Sequence, residues 1–114
     1  YRSMKARAPR KRVVSAATTA IAQNFPEPLA YTRALVEGGM LERCDVMGLH
    51  YYGSQVENVI RPGGVQDLLR TITKPIWVTE TGAKGTNAQR EYAERTLQFL
   101  LDLSPRIERL YLYQ

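Results

Sequence analysis

Lys74-Pro75-Ile76-Trp77-Val78-Thr79-Glu80-Thr81-Gly82 is the stretch that settles which fold this chain is expected to take. Ile76 to Thr79, led in by Pro75, is a short apolar and β-branched run of the kind that forms a buried strand. Similar runs occur on either side of it, at Val46 to Tyr52, at Ile107 to Tyr113 and at Val13 to Ala17. Taken in chain order, their first residues lie 33, 30 and 31 positions apart.

Helical patterns fill the intervals. The first opens at Pro28, a residue suited to the first turn of a helix, carries Leu29, Ala30, Leu35 and Val36, and stops at Gly38-Gly39. The second places Val65, Leu68, Leu69 and Ile72 at the i, i+3, i+4, i+7 spacing of one buried face. The third starts at a capping box of Thr86 and Gln89, carries a stripe of Ala93, Leu97, Leu100 and Leu101, and ends at Ser104-Pro105. Residues 1–12 therefore read as a basic helix tail and loop, and residues 13–114 as β-α-β-α-β-α-β. Strands alternating with helices predict an α/β fold with a parallel sheet and right-handed crossovers.

An eight-unit barrel of about 250 residues allots about 31 residues to each strand-helix unit, and the spacings between the runs have that period. A dinucleotide-binding sheet would carry G-x-G-x-x-G after its first strand, whereas Ser15-Ala16-Ala17-Thr18-Thr19 follows Val13-Val14. Neither Gly38-Gly39 nor Gly63-Gly64 is followed by the Lys-Ser/Thr of a phosphate loop. The barrel is the expected architecture, with the 114 residues forming just under half of one.

Composition narrows the chemistry. The 16 Lys and Arg against 11 Asp and Glu give a formal charge of +5, but Arg2, Lys5, Arg7, Arg10, Lys11 and Arg12 all precede the first acidic residue, Glu27. The remainder is near neutral. A basic arm could meet phosphates, yet no RNA-module aromatic pattern or recognition helix accompanies it, so no nucleic-acid partner is expected. Cys44 has no second Cys to pair with, and Cys44 with His50 is too few ligands for structural zinc, so neither metal nor cofactor is expected. No apolar run approaches the ~18–20 residues of a membrane helix.

In a barrel the chemistry sits where strands end, at the C-terminal face. By alternation Glu80 shares a face with Val78 and Ile76, while Trp77 and Thr79 point the other way, Trp77 toward the helices as core packing. A carboxylate ending an apolar strand is costly to desolvate and needs a partner. His50, the one His of the chain, and Tyr52 share a face of the preceding run and converge on the same mouth.

These residues carry a resemblance. Asp45-Val46-Met47-Gly48-Leu49-His50-Tyr51-Tyr52 resembles strand six of the retaining glycoside hydrolases of the TIM-barrel clan, clan A, in which a His-x-Tyr pair ends the strand. Lys74 to Gly82 resembles strand seven, and Arg109-Leu110-Tyr111-Leu112-Tyr113-Gln114 resembles strand eight; the cellulase-like and xylosidase-like members are most similar. The resemblance implies a retaining O-glycosidase whose nucleophile is Glu80, with Tyr52 hydrogen-bonded to it and His50 shaping the sugar subsite. It implies strands five to eight, the C-terminal half of a TIM (β/α)8 barrel, acting on a glycoside.

Retention needs two carboxylates about 5–5.5 Å apart. In the clan the acid/base Glu follows an Asn at the end of strand four, and no Asn-Glu pair occurs in this sequence; Glu57-Asn58 has the reverse order, and Glu91 and Glu94 fall in a helix. The fragment is expected to be inactive alone. Open strand edges imply a partner, either the N-terminal half barrel or a second copy. A non-catalytic interaction module derived from a half barrel, and a nucleic-acid binder led by the basic arm, are the alternative functions.

Overall fold

A computed structural model describes residues 1–17, 28–52 and 62–113. Glu57, Asn58 and Gln114 lie outside them. The elements are helix α1 (Arg2–Arg7), helix α2 (Pro28–Glu37), a 3₁₀ turn (Met40–Arg43), strand β1 (Met47–Tyr51), helix α3 (Val65–Thr71), strand β2 (Ile76–Thr81), helices α4 (Thr86–Glu91) and α5 (Leu97–Leu103) joined by a π-turn (Tyr92–Thr96), and strand β3 (Ile107–Leu112). The three strands form one parallel sheet in the order β1-β2-β3. Strand neighbours in space are thus strand neighbours in sequence, an α/β arrangement compatible with part of a β/α fold.

The core lies on one face of the sheet. Met47, Leu49 and Tyr51 of β1, Ile76 and Val78 of β2 and Ile107 of β3 pack on Val65 and Leu69 of α3, the adjoining Ile72, and Leu100 and Leu103 of α5. Leu29 and Val36 of α2 pack at the margin. Removing each such side chain from water contributes about 1.5–3 kcal/mol, so this face drives folding. The Val65, Leu68, Leu69, Ile72 face is buried as its spacing predicts, and α2 stops at Glu37, with Gly39 in the left-handed region at φ 85°.

Several local expectations are corrected. Val13 to Ala17 forms no extended strand: it makes a single parallel bridge, Val14 to Val46, flanked by Ser15 N–H donating to the Val46 carbonyl at 2.9 Å. The bridge still places this segment beside β1. Thr86 and Gln89 make no capping box, because Gly85 occupies the N-cap and Thr86 is already inside the first turn, with no side-chain cap. The π-turn then takes an additional residue into the helix and rotates the turns beyond it, so the buried line is Tyr92, Leu100 and Leu103, while Ala93 and Leu101 are exposed.

The basic N-terminal segment is docked on the sheet. Asp45, just ahead of β1, accepts from Val13 N–H at 2.8 Å, Lys5 Nζ at 3.0 Å and the Tyr1 hydroxyl at 2.9 Å. Arg12 reaches Glu108 on β3 with two nitrogens, each at 3.0 Å. The Val13 amide first, and then Lys5, hold the Asp45 carboxyl down to about 2 from its ordinary 3.8. A carboxyl depressed on folding adds stability that is complete above its unfolded value and disappears as pH falls through the folded one. Wild-type chain should therefore release its first residues as the pH drops from roughly 4 to 2, and Asp45→Asn should show them released already at neutral pH. Amide exchange at Val13 across this range checks it; superimposable profiles for the two proteins would refute the anchor.

Candidate active site

The local register of β1 against β2 builds the site. Leu49 pairs with Val78, but His50 pairs with Glu80, so β2 has one residue more than β1 between these pairs and a β-bulge forms at Thr79. Thr79 compensates with its side chain, its hydroxyl donating to the Leu49 carbonyl at 3.2 Å. A bulge reverses the alternation beyond it. Glu80 consequently does not share the face of Ile76 and Val78, as alternation alone predicts; those two side chains enter the helix-covered core, and Glu80 points to the opposite face.

That opposite face is where His50 and Tyr52 emerge, because Met47, Leu49 and Tyr51 occupy the core side of β1. Three side chains from two strand ends meet there. The Tyr52 hydroxyl donates to Glu80 Oε2 at 3.0 Å, and His50 Nδ1 lies 3.5 Å from the same oxygen. Among the described residues no hydrogen bond falls on Glu80 Oε1. Burial first, and then the Glu80 carboxylate, push the Tyr52 hydroxyl up to about 12, so it keeps its proton at neutral pH and remains the donor. Among the described residues the arrangement orients one carboxylate through one oxygen and leaves the other unengaged. The Glu80 side chain is 37% exposed and the His50 side chain 25% exposed.

Behind the site, Thr81 is fully buried on the core side and its hydroxyl bonds to that of Tyr92 from the π-turn. Gly82 follows with φ 151°, and a Cβ there would lie 2.6 Å from the Tyr113 carbonyl, so only glycine lets β3 approach this closely. Tyr113 N–H donates to the Thr81 carbonyl at 2.8 Å across this junction. Thr79, Thr81 and Tyr92 carry no sequence signal of their own, since their roles follow from the bulge and the π-turn.

Trp77 is also on the site face and not against the helices. Its ring lies under the Arg109 guanidinium at 4.6 Å and the Arg12 guanidinium at 5.2 Å, beside Tyr111 at 6.1 Å, and its Nε1 donates to Glu108 at 3.3 Å. The Trp77 indole first, and then Arg12, hold the Glu108 carboxyl below its ordinary value. Two of the six N-terminal cations, Lys5 and Arg12, are therefore engaged within the fold. Glu91 and Glu94 pair with Arg95 and Arg90 along their own helix. Among the described residues no three His, Cys, Asp or Glu side chains are grouped to hold a metal ion, and Cys44 is buried with its thiol raised by that burial.

No curated protein and no solved structure matches the chain. Residues 3–111 match the family model described as a glycosyl hydrolase catalytic core.

Proposed function

We propose that this chain, which belongs to the glycosyl hydrolase catalytic core family, supplies the nucleophile of a retaining O-glycosidase. The observation that carries this reading is the Tyr52 hydroxyl at 3.0 Å on Glu80 Oε2 with His50 Nδ1 at 3.5 Å on the same atom. Held through Oε2, Glu80 attacks an anomeric carbon with Oε1 and forms a glycosyl ester. Tyr52 steadies the carboxylate before attack and stabilises the departing carboxylate when the ester is hydrolysed. His50 lines the subsite for the sugar. The acid/base partner, a second carboxylate about 5–5.5 Å away, comes from outside these 114 residues. Covalent capture of an activated glycoside on Glu80, read by mass spectrometry, tests this role.

The fold we infer around the site is the second half, strands five to eight, of a clan A (β/α)8 barrel. Support comes from the sequential strand order and from helices packed on one sheet face, with the site on the other. Doubly wound sheets, by contrast, carry helices on both faces. The proposed partner is the N-terminal half barrel or a second copy of this chain. β3 supports that reading: among the described residues no strand pairs with its outer edge, and Leu112 and the following Tyr113 are each 60% exposed. Sedimentation of the 114-residue chain is expected to show self-association at micromolar concentration; a compact monomer across that range would argue against the half barrel.

A further inference from the structure

We propose that Tyr92 is a positioning residue of this site: its hydroxyl ties the ends of β1 and β2 together from behind the sheet and thereby sets Glu80 against Tyr52 and His50 in front. The proposal rests on the reading of that cluster as the working centre, and it assigns a role to a residue on a helix behind the sheet.

At the strand ends, Tyr51 and Thr81 face the core, 2% and 0% exposed, while their chain neighbours Tyr52 and Glu80 face the site. Each buried residue is thus one peptide away from a site residue on the opposite face. Whatever fixes the separation of Tyr51 and Thr81 fixes the separation of Tyr52 and Glu80. The ladder pairs these two residues, and one oxygen braces the pair from behind. The Tyr92 hydroxyl donates to the Tyr51 carbonyl at 3.5 Å and bonds to the Thr81 hydroxyl. With Tyr92 donating to β1, Thr81 is the donor toward Tyr92, and every proton has a place. The phenol has no carboxylate or cation among these contacts. Burial raises it above its ordinary value, so it keeps the proton that the Tyr51 contact needs.

The helix is shaped for this contact. Between Thr86 and Arg95 only Tyr92 is buried, at 7% exposed, and it is the first residue of the π-turn. A π-turn departs from regular helix geometry and such turns concentrate at functional positions. A ring placed there for packing alone would have no need of a hydroxyl bridging two strands. The ladder resumes beyond the bulge at Thr79, His50 against Glu80 and Tyr51 against Thr81, and the Tyr92 hydroxyl braces this last pair just past the irregularity.

The test reads the Glu80 carboxyl carbon by NMR at neutral pH, a signal that moves when the hydrogen bond from Tyr52 lengthens. Tyr52→Phe, which removes that bond outright, sets the scale. In Tyr92→Phe, which keeps the ring and loses only the hydroxyl, the signal is expected to move most of the way to its Tyr52→Phe position. Thr81→Val should produce the same displacement, and Thr81→Ser, which retains the hydroxyl, should hold the wild-type position. A wild-type Glu80 signal in Tyr92→Phe and Thr81→Val, even with a lowered melting temperature, would overturn the proposal and leave Tyr92 as packing. Should Tyr92→Phe not fold, the Thr81→Val and Thr81→Ser pair decides the matter by the same signal. Because the readout is a hydrogen bond and not turnover, failure of covalent capture at Glu80 would count against the proposed nucleophile while this result stood independently.

Discussion

Incubated with a panel of dinitrophenyl glycosides, the chain is expected to release a single equivalent of phenolate and then stall, with the sugar held as an ester on Glu80. Dinitrophenolate leaves without a proton, so ester formation needs only the nucleophile. Hydrolysis of the ester needs a general base, and three acidic side chains are engaged elsewhere: Glu108 of β3 with Arg12 and Trp77, Asp45 ahead of β1 with Lys5 and Val13, and Asp67 of α3 with Arg70. A missing acid/base slows its step by on the order of 10²–10⁴-fold. Glu80→Gln should remove both the release and the adduct. Sustained turnover abolished by Glu80→Gln would show that the acid/base lies within the chain; an adduct on another residue, or none with any sugar, would remove Glu80 from the role.

The second large effect separates adjacent residues of one strand. Ile76→Ala should lower the unfolding free energy by about 2–5 kcal/mol, because Ile76 is 0% exposed between α3, α5 and the flanking strands, and a cavity would remain. Trp77→Ala removes far more atoms yet should cost only about 1–2 kcal/mol, since its contacts are cation-π pairs with Arg12 and Arg109 on the uncovered face. Urea unfolding of both variants checks the order. The reverse order would mean that Trp77, and not Ile76, lies in the core.

Helix α2, the apolar face of α3 and the three strands are legible in the residues alone because their burial is periodic and their punctuation, Pro28, Gly39 and Pro75, acts locally. Strict alternation misleads at β2. It places Ile76, Val78 and Glu80 on one face and Trp77 on the other, and it assigns the helices to Trp77. Alternation separates the two faces of a strand but does not say which one the helices cover. A single inserted residue at Thr79 then exchanges the faces beyond it. The capping box fails for a similar reason, since Gly85 begins the helix one residue earlier than its polar pattern suggests.

Composition and spacing suffice to establish that strand and helix alternate with a period near 31 residues, that the charge excess belongs to the first twelve positions, and that His50, Tyr52 and Glu80 stand at strand ends. These properties survive any detail of packing. It took the packed molecule to turn Glu80 toward Tyr52 and His50, to lay Trp77 on the same face, and to bring Tyr92 to the strand ends from behind. A bulge and a π-turn are set by how neighbouring elements pack and pair, and neither is encoded in the local run of residues where it occurs.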